Sequence, residues 1–244
     1  MKSNTYIMLQ NFFKESLIDI AKDMNYSEEN IIILEGDESL LKRKYPEIYE
    51  NLLSCSHNRD FRTPIQYAQD LVCSWLYEDY LLKRLMQNGL EIRLSGEDRN
   101  RKLLKSTRVK ANSDYLVEYN GKSVFVELAN DYTGYWMRTL KCDLRDDKFL
   151  HIKNEIKNAD YSLLLGVDFN NMKFFIVDVV NDENNITYSS YHYAFRKPAY
   201  SIDLRRVRFY DFTIENICNV IKNIIKKWES KLYFLIFRLH AINI

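Results

Sequence analysis

Two hydrophobic periods divide this chain. Over residues 1–60, apolar positions such as Phe12, Phe13, Leu17, Ile20 and Met24 return at near-helical spacing among polar neighbours, which predicts a mostly helical N-terminal extension. Thr63 then stands where a cap is needed, Pro64 suits a first helical position, and Gly89 closes an amphipathic helix ending near Asn88. After Gly89 the period drops to two. Residues 91–94 (EIRL), 114–119 (DYLVEY) and 123–129 (SVFVELA) read as strands, and so do 161–169 (YSLLLGVDF) and 172–180 (MKFFIVDVV), rich in β-branched and aromatic side chains. Helical spacing returns over about residues 135–157 and again over 213–229, before a strand-like tail. This order predicts an α/β fold with a mixed central sheet flanked by helices, residues 61–244 forming the main domain.

Composition narrows the function classes. The chain has 244 residues, 46% of them hydrophobic, with 18 Tyr and 13 Phe, enough for a sizeable core and too apolar for wholesale disorder. Its six glycines are never clustered, which excludes a glycine-rich phosphate loop or a dinucleotide fingerprint and so any nucleotide cofactor of those types. Cys55, Cys73, Cys142 and Cys218 lie far apart without zinc or redox spacing, as expected of reduced thiols in a cytoplasmic protein. The most apolar stretch, KLYFLIFRLHAINI, is shorter than a bilayer and carries Arg238, so no membrane partner is expected.

Net charge is only +1, but it is unevenly spread. Residues 99–110 carry +6 and residues 184–210 carry +4, which leaves −9 for the rest. Such concentration suits a localised face for a polyanion; two solvated basic loops are the plainer alternative.

The chemistry is concentrated in residues 113–131, SDYLVEYNGKSVFVELAND. Asn120-Gly121 is a strong signal for a two-residue hairpin turn, because a type I′ turn needs positive φ at both positions. That turn pairs Tyr119 with Lys122 and carries the register back until Asp114 faces Glu127. Cross-strand side chains on one face have Cβ atoms roughly 4.5–5.5 Å apart, so two carboxylates there repel unless a cation lies between them or one is protonated. Hard oxygen ligands without His or Cys suit Mg²⁺, which takes one or two carboxylates and completes its shell with water and phosphate oxygens. A bulge that shifts the register is the competing reading, and it leaves two unrelated acids. A third acid, Glu78, falls inside the apolar stripe Leu71, Trp75, Leu82, Leu85 of the long helix. It reads either as a partner of the hairpin carboxylates or as a glutamate at the stripe edge.

A helix bearing an acid, a hairpin with Asp opening one strand and Glu closing the next, then a helix and another strand, resembles the PD-(D/E)XK nuclease superfamily over roughly residues 64–180. Type II restriction endonucleases are the closest match in pattern. Ser113-Asp114 corresponds to that family's Pro-Asp, and Glu127-Leu128-Ala129 to its acid-x-Lys. Ser replaces Pro, and Ala129 stands where a lysine is usual. The resemblance implies Mg²⁺-dependent hydrolysis of double-stranded DNA at a specific sequence by a homodimer. Asp114, Glu127 and the Leu128 carbonyl would hold the metal, and Glu78 would assist.

Some members of the family recruit a lysine from elsewhere in the fold. The helix expected over about residues 135–157 presents Arg138, Lys141, Arg145 and Lys148 as one basic stripe. Lys141, with Arg138 as the alternative, is then the candidate for the missing charge, while Arg145 and Lys148 read as a solvated face balanced by Asp143, Asp146 and Asp147. Arg99, Arg101 and Lys102 are candidate phosphate contacts, and so is Arg138; Arg196, Lys197, Arg205, Arg206 and Arg208 are candidates for recognition, since arginine forks read guanine edges and clamp phosphates. Two other readings remain at this point: a repair or mobile-element nuclease of the same superfamily, and a nucleic-acid-binding module with a degenerate site.

Overall fold

The computed structural model describes residues 2–55, 62–95, 101 and 113–227. The chain divides into two compact units, Met1–Leu81 with Gly96–Asn112 and Leu82–Ser95 with Ser113–Ile244.

In the first unit, five short helices close on the first part of a long one. These are α1 (Asn4–Phe13), α2 (Leu17–Asp23), α3 (Glu28–Glu35), α4 (Glu38–Lys44) and α5 (Pro46–Ser54), followed by α6 (Pro64–Gln87). Ser3, Ser16 and Asp37 cap three of the starts by accepting backbone N–H bonds from Tyr6, Asp19 and Leu40. Thr63 and Gln66 form a reciprocal capping box at the start of α6: the Thr63 hydroxyl accepts from the Gln66 amide at 3.3 Å, and the Gln66 side chain from the Thr63 amide at 3.0 Å. Gln69 of α6 is fully buried, accepting from the Ser3 amide and donating to the Leu34 carbonyl. Phe12 packs edge-on against Tyr77 and Tyr80. Residues 4–54, expected as an extension ending at residue 60, thus share a core with α6 as far as Leu81.

The second unit is built on two sheets. The larger runs in the order β1-β2-β3-β5-β6-β9, comprising β1 (Glu91–Leu94), β2 (Tyr115–Tyr119), β3 (Lys122–Asp131), β5 (Tyr161–Asp168), β6 (Lys173–Asp178) and β9 (Tyr210–Asp211). The smaller has β8 (Lys197–Asp203) between β4 (Lys141–Arg145) and β7 (Ile186–His192). The β3–β5 pair is parallel and its sheet neighbours antiparallel, so the large sheet is mixed. A final helix, α9, occupies residues 214–227 of the described chain, with Ile217, Cys218, Ile221 and Ile225 buried along one stripe. No described helix is long and apolar enough to cross a membrane.

The β3–β5 crossover departs from expectation. In place of one helix over residues 135–157 the chain forms α7 (Tyr135–Thr139), then strand β4, then α8 (Asp146–Glu155). Leu140 has φ 55°, a left-handed conformation that stops α7 after five residues. Cys142 and Leu144 are then buried while Lys141 and Arg145 are exposed, the alternation of a strand, and β4 pairs in register with β8. Asp146 and Asp147 open α8, where acidic side chains favour a helix start.

Between α8 and the sheets lies a core of Trp136, Leu144, Phe149, Ile152, Leu164, Phe175 and Ile202, with Ala129 packed at its edge. Gly166 of β5 faces Phe175 of β6, and a Cβ on Gly166 would come within 2.2 Å of the Phe175 ring. A glycine here lets the ring lie across the neighbouring strand. Gly166→Ala is therefore expected to destabilise the protein by about 1–3 kcal/mol, the usual cost of overpacking, read as a lowered urea midpoint. An unchanged midpoint would mean that Phe175 moves aside freely.

Candidate active site

Asn120 and Gly121 have φ 52° and 71°, as a type I′ turn requires. The hairpin then runs without a bulge from Tyr119↔Lys122 to Tyr115↔Val126. The paired register ends there, and Asp114, the residue before β2, stands one step beyond it, next to the end of the register that Glu127 continues on β3. Asp114 Oδ2 accepts the Leu128 amide at 2.7 Å, so the carboxylate is pinned to the strand that carries the second acid. Glu127 is 7% exposed. A carboxylate that buried needs a cation.

Lys148 of α8 supplies it. Its Nζ lies 2.5 Å from Glu127 Oε1 and donates to the Leu128 carbonyl at 3.2 Å. Burial disfavours the ammonium, but Glu127 and then Asp114 outweigh it and hold the lysine above its ordinary value, charged throughout the neutral range. This is the reverse of the expectation from a single helical stripe. Lys141 opens β4 opposite Asp203, exposed and in no ion pair among the described residues, whereas Lys148, taken for a solvated residue, reaches the acids. Ala129 shares a strand face with Glu127 and packs at the edge of the α8 core, so the usual lysine position holds a small apolar side chain.

Two turns along α8, Glu155 meets the hairpin from the other strand. Its Oε1 accepts the Ser113 amide at 2.7 Å and its Oε2 accepts the Ser113 hydroxyl. His151 Nε2 lies 3.1 Å from the same Oε1. Neither Lys148 nor Glu155 stood out as functional in the sequence. The signal that finds them is Asp146-Asp147 read as the start of a new helix, which puts Lys148, Ile152 and Glu155 on one face.

The donor chemistry around Asp114 fits a hard divalent cation: two carboxylates and the Leu128 carbonyl, all oxygen. Among the described residues no group of three or more His, Cys, Asp or Glu side chains could hold a metal ion.

Other expected residues fall elsewhere. Glu78 lies in the first unit, where Arg101 Nη1 is 2.7 Å from its Oε2. The same guanidinium bonds Asp79 at 2.6 Å, Tyr26 donates to Asp79, and Asn30 donates to the Arg101 carbonyl. Burial opposes the Arg101 charge, but its bond to Asp79 and its attraction to Glu78 and Asp79 more than offset this. With its side chain 11% exposed, Arg101 is a buried ion-pair residue, contrary to the expected phosphate contact. Arg99 and Lys102 lie outside the described residues.

In the second unit, Arg205 turns both arms of its fork onto Asp203, each at 2.8 Å, which occupies the geometry that base reading needs. Lys197 pairs with Asp147 at 3.2 Å, Arg206 lies 3.9 Å from Asp203, Arg138 donates to the Thr133 carbonyl at 2.8 Å, and Arg208 lies over the Tyr210 ring. Arg196 is exposed in the β7–β8 turn, at φ 54°. Tyr188, Tyr191 and Tyr193 of the same hairpin are 58%, 60% and 89% exposed, an unusual solvent display of aromatic rings.

No protein-family model matches the chain, and no curated protein matches it either.

Arg101→Met should lower the unfolding free energy by about 1–3 kcal/mol, because it takes the guanidinium away from the half-buried Glu78 and Asp79 carboxylates. Equilibrium denaturation in urea measures the loss, and an unchanged midpoint would mean that Arg101 does not hold the two acids.

Proposed function

We propose that the chain is a Mg²⁺-dependent endodeoxyribonuclease of the PD-(D/E)XK type, acting on double-stranded DNA in the manner of a type II restriction enzyme. The observation that carries this reading is the Lys148 ammonium on Glu127 beside Asp114. The resemblance lacked a lysine at Ala129, and Lys148 of α8 supplies the same charge from a different backbone position.

In this reading Asp114, Glu127 and the Leu128 carbonyl hold the metal. The ion supplies Lewis-acid charge and a more acidic water when bound. The chain's own residues do the rest. The Leu128 amide keeps the Asp114 carboxylate aimed along the hairpin, and Lys148 holds a fixed positive charge where negative charge develops on the phosphoryl oxygens. Attack by water needs no covalent protein intermediate.

DNA would be gripped by the cations that remain exposed, among them Arg138, Arg196, Arg206 and Arg208, with Lys197 able to exchange Asp147 for a phosphate. The exposed tyrosines of β7 and its turn support a nucleic-acid face, since aromatic rings among cations stack on bases. A homodimer matches the two-fold symmetry of a palindromic site.

Plasmid cleavage with and without Mg²⁺ tests the reading, and discrete fragments select a restriction enzyme over a repair nuclease. Asp114→Asn and Glu127→Gln should each abolish cutting while DNA binding in Ca²⁺ persists. Lys148→Ala should slow cutting by roughly 10² or more, as for loss of one preorganised donor, and Lys141→Ala should cut at the wild-type rate. If Lys141→Ala is crippled and Lys148→Ala is not, the assignment of the lysine is wrong.

A further inference from the structure

We infer that Glu155 is a positioning residue for the Asp114 carboxylate, acting through Ser113; this rests on the metal-site reading of Asp114 and Glu127. Ser113 directly precedes Asp114, is fully buried, and makes two bonds to one carboxylate, through its amide and its hydroxyl. Two parallel bonds to a planar acceptor fix rotation as well as distance, so the backbone entering Asp114 is held in one orientation. Glu155 is itself 6% exposed and on a helix, which makes it a rigid support.

The other end of the same helix face completes the argument. Lys148 and Glu155 are seven residues apart, about 10 Å along α8. Lys148 grips the Glu127 strand and Glu155 grips the Asp114 strand. A single helix therefore sets both acids of the pair. The Asp114 side chain is tied to β3 by the Leu128 amide, and its backbone is tied to α8 through Ser113. Proline at position 113 would offer neither an N–H nor a hydroxyl, so Ser113 and Glu155 form a matched pair peculiar to this arrangement. His151, with its Nε2 3.1 Å from the Glu155 carboxylate, steadies that carboxylate from within the helix.

The test measures metal binding directly, on the full chain without DNA, by Mn²⁺ electron paramagnetic resonance. Loss of one ordinary hydrogen bond corresponds to about a 3- to 10-fold change. Ser113→Ala should therefore weaken Mn²⁺ affinity by about 3-fold or more, and Glu155→Ala by about 10-fold or more. Glu155→Gln keeps an acceptor for the amide and a partner for the hydroxyl, so it should recover affinity to within about 3-fold of wild type. A residue that merely supports the fold would move the melting temperature and leave the Mn²⁺ affinity of the folded protein alone. If Glu155→Ala fails to fold, Ser113→Ala decides by itself. Wild-type Mn²⁺ affinity in every variant that folds would overturn the inference and leave the metal site standing. A wild-type chain that binds no Mn²⁺ would instead remove the metal site, and the inference with it.

Discussion

A buried carboxylate beside a second carboxylate is unstable without a counter-charge, and the geometry of the second unit is organised around that constraint. Glu127 lies in the interior on β3, and Asp114, just before β2, is bonded to the next residue of β3 through the Leu128 amide. Lys148, half-buried, meets it from α8, and the cost of burying the Glu127 charge is offset by this close pairing, while Asp114 and Lys148 bond the Leu128 amide and carbonyl. Two acids and one lysine leave a net negative charge. A net negative site of this kind is what the proposed Mg²⁺ would need.

The crossover between β3 and β5 serves this end. It folds as helix, strand and helix, so β4 seals the core through Cys142 and Leu144 while α8 is delivered over the face of β3 that carries Glu127 and Ala129. Ala129 is small because core packs there. The cation that meets Glu127 comes from the helix above that strand, and the same helix anchors Ser113.

In the first unit a similar rule operates with a different outcome. Arg101 satisfies Glu78 and Asp79, Tyr26 donates to Asp79, and Asn30 fixes the Arg101 carbonyl. Of the six basic residues of 99–110, Arg101 is the one that is described, and it is turned inward. Charge counted along a sequence locates a polyelectrolyte segment, but side chains with neighbouring acids leave that count.

Local signals were enough to place the long helix, the main strands and the pair Asp114 and Glu127. Thr63-Pro64 and Gly89 act within a turn of the helix they bound, and Asn120-Gly121 sets a register that cannot slip without exposing Val117, Val124 and Val126. The identity of the lysine was different. Helical spacing over 135–157 is a true feature of the sequence, and it favoured Lys141. The break at Leu140 and the strand at Lys141–Arg145 depend on pairing with β8, a partner far along the chain whose hydrogen bonds no local pattern can register. Once β4 forms, the phase of the following helix is reset, and Lys148 and Glu155 come to the face that looks at the hairpin. The sequence by itself determined where the two acids stand, because a two-residue turn fixes their register. Only tertiary structure decided which cation joins them, because that depends on a strand pairing made between distant segments.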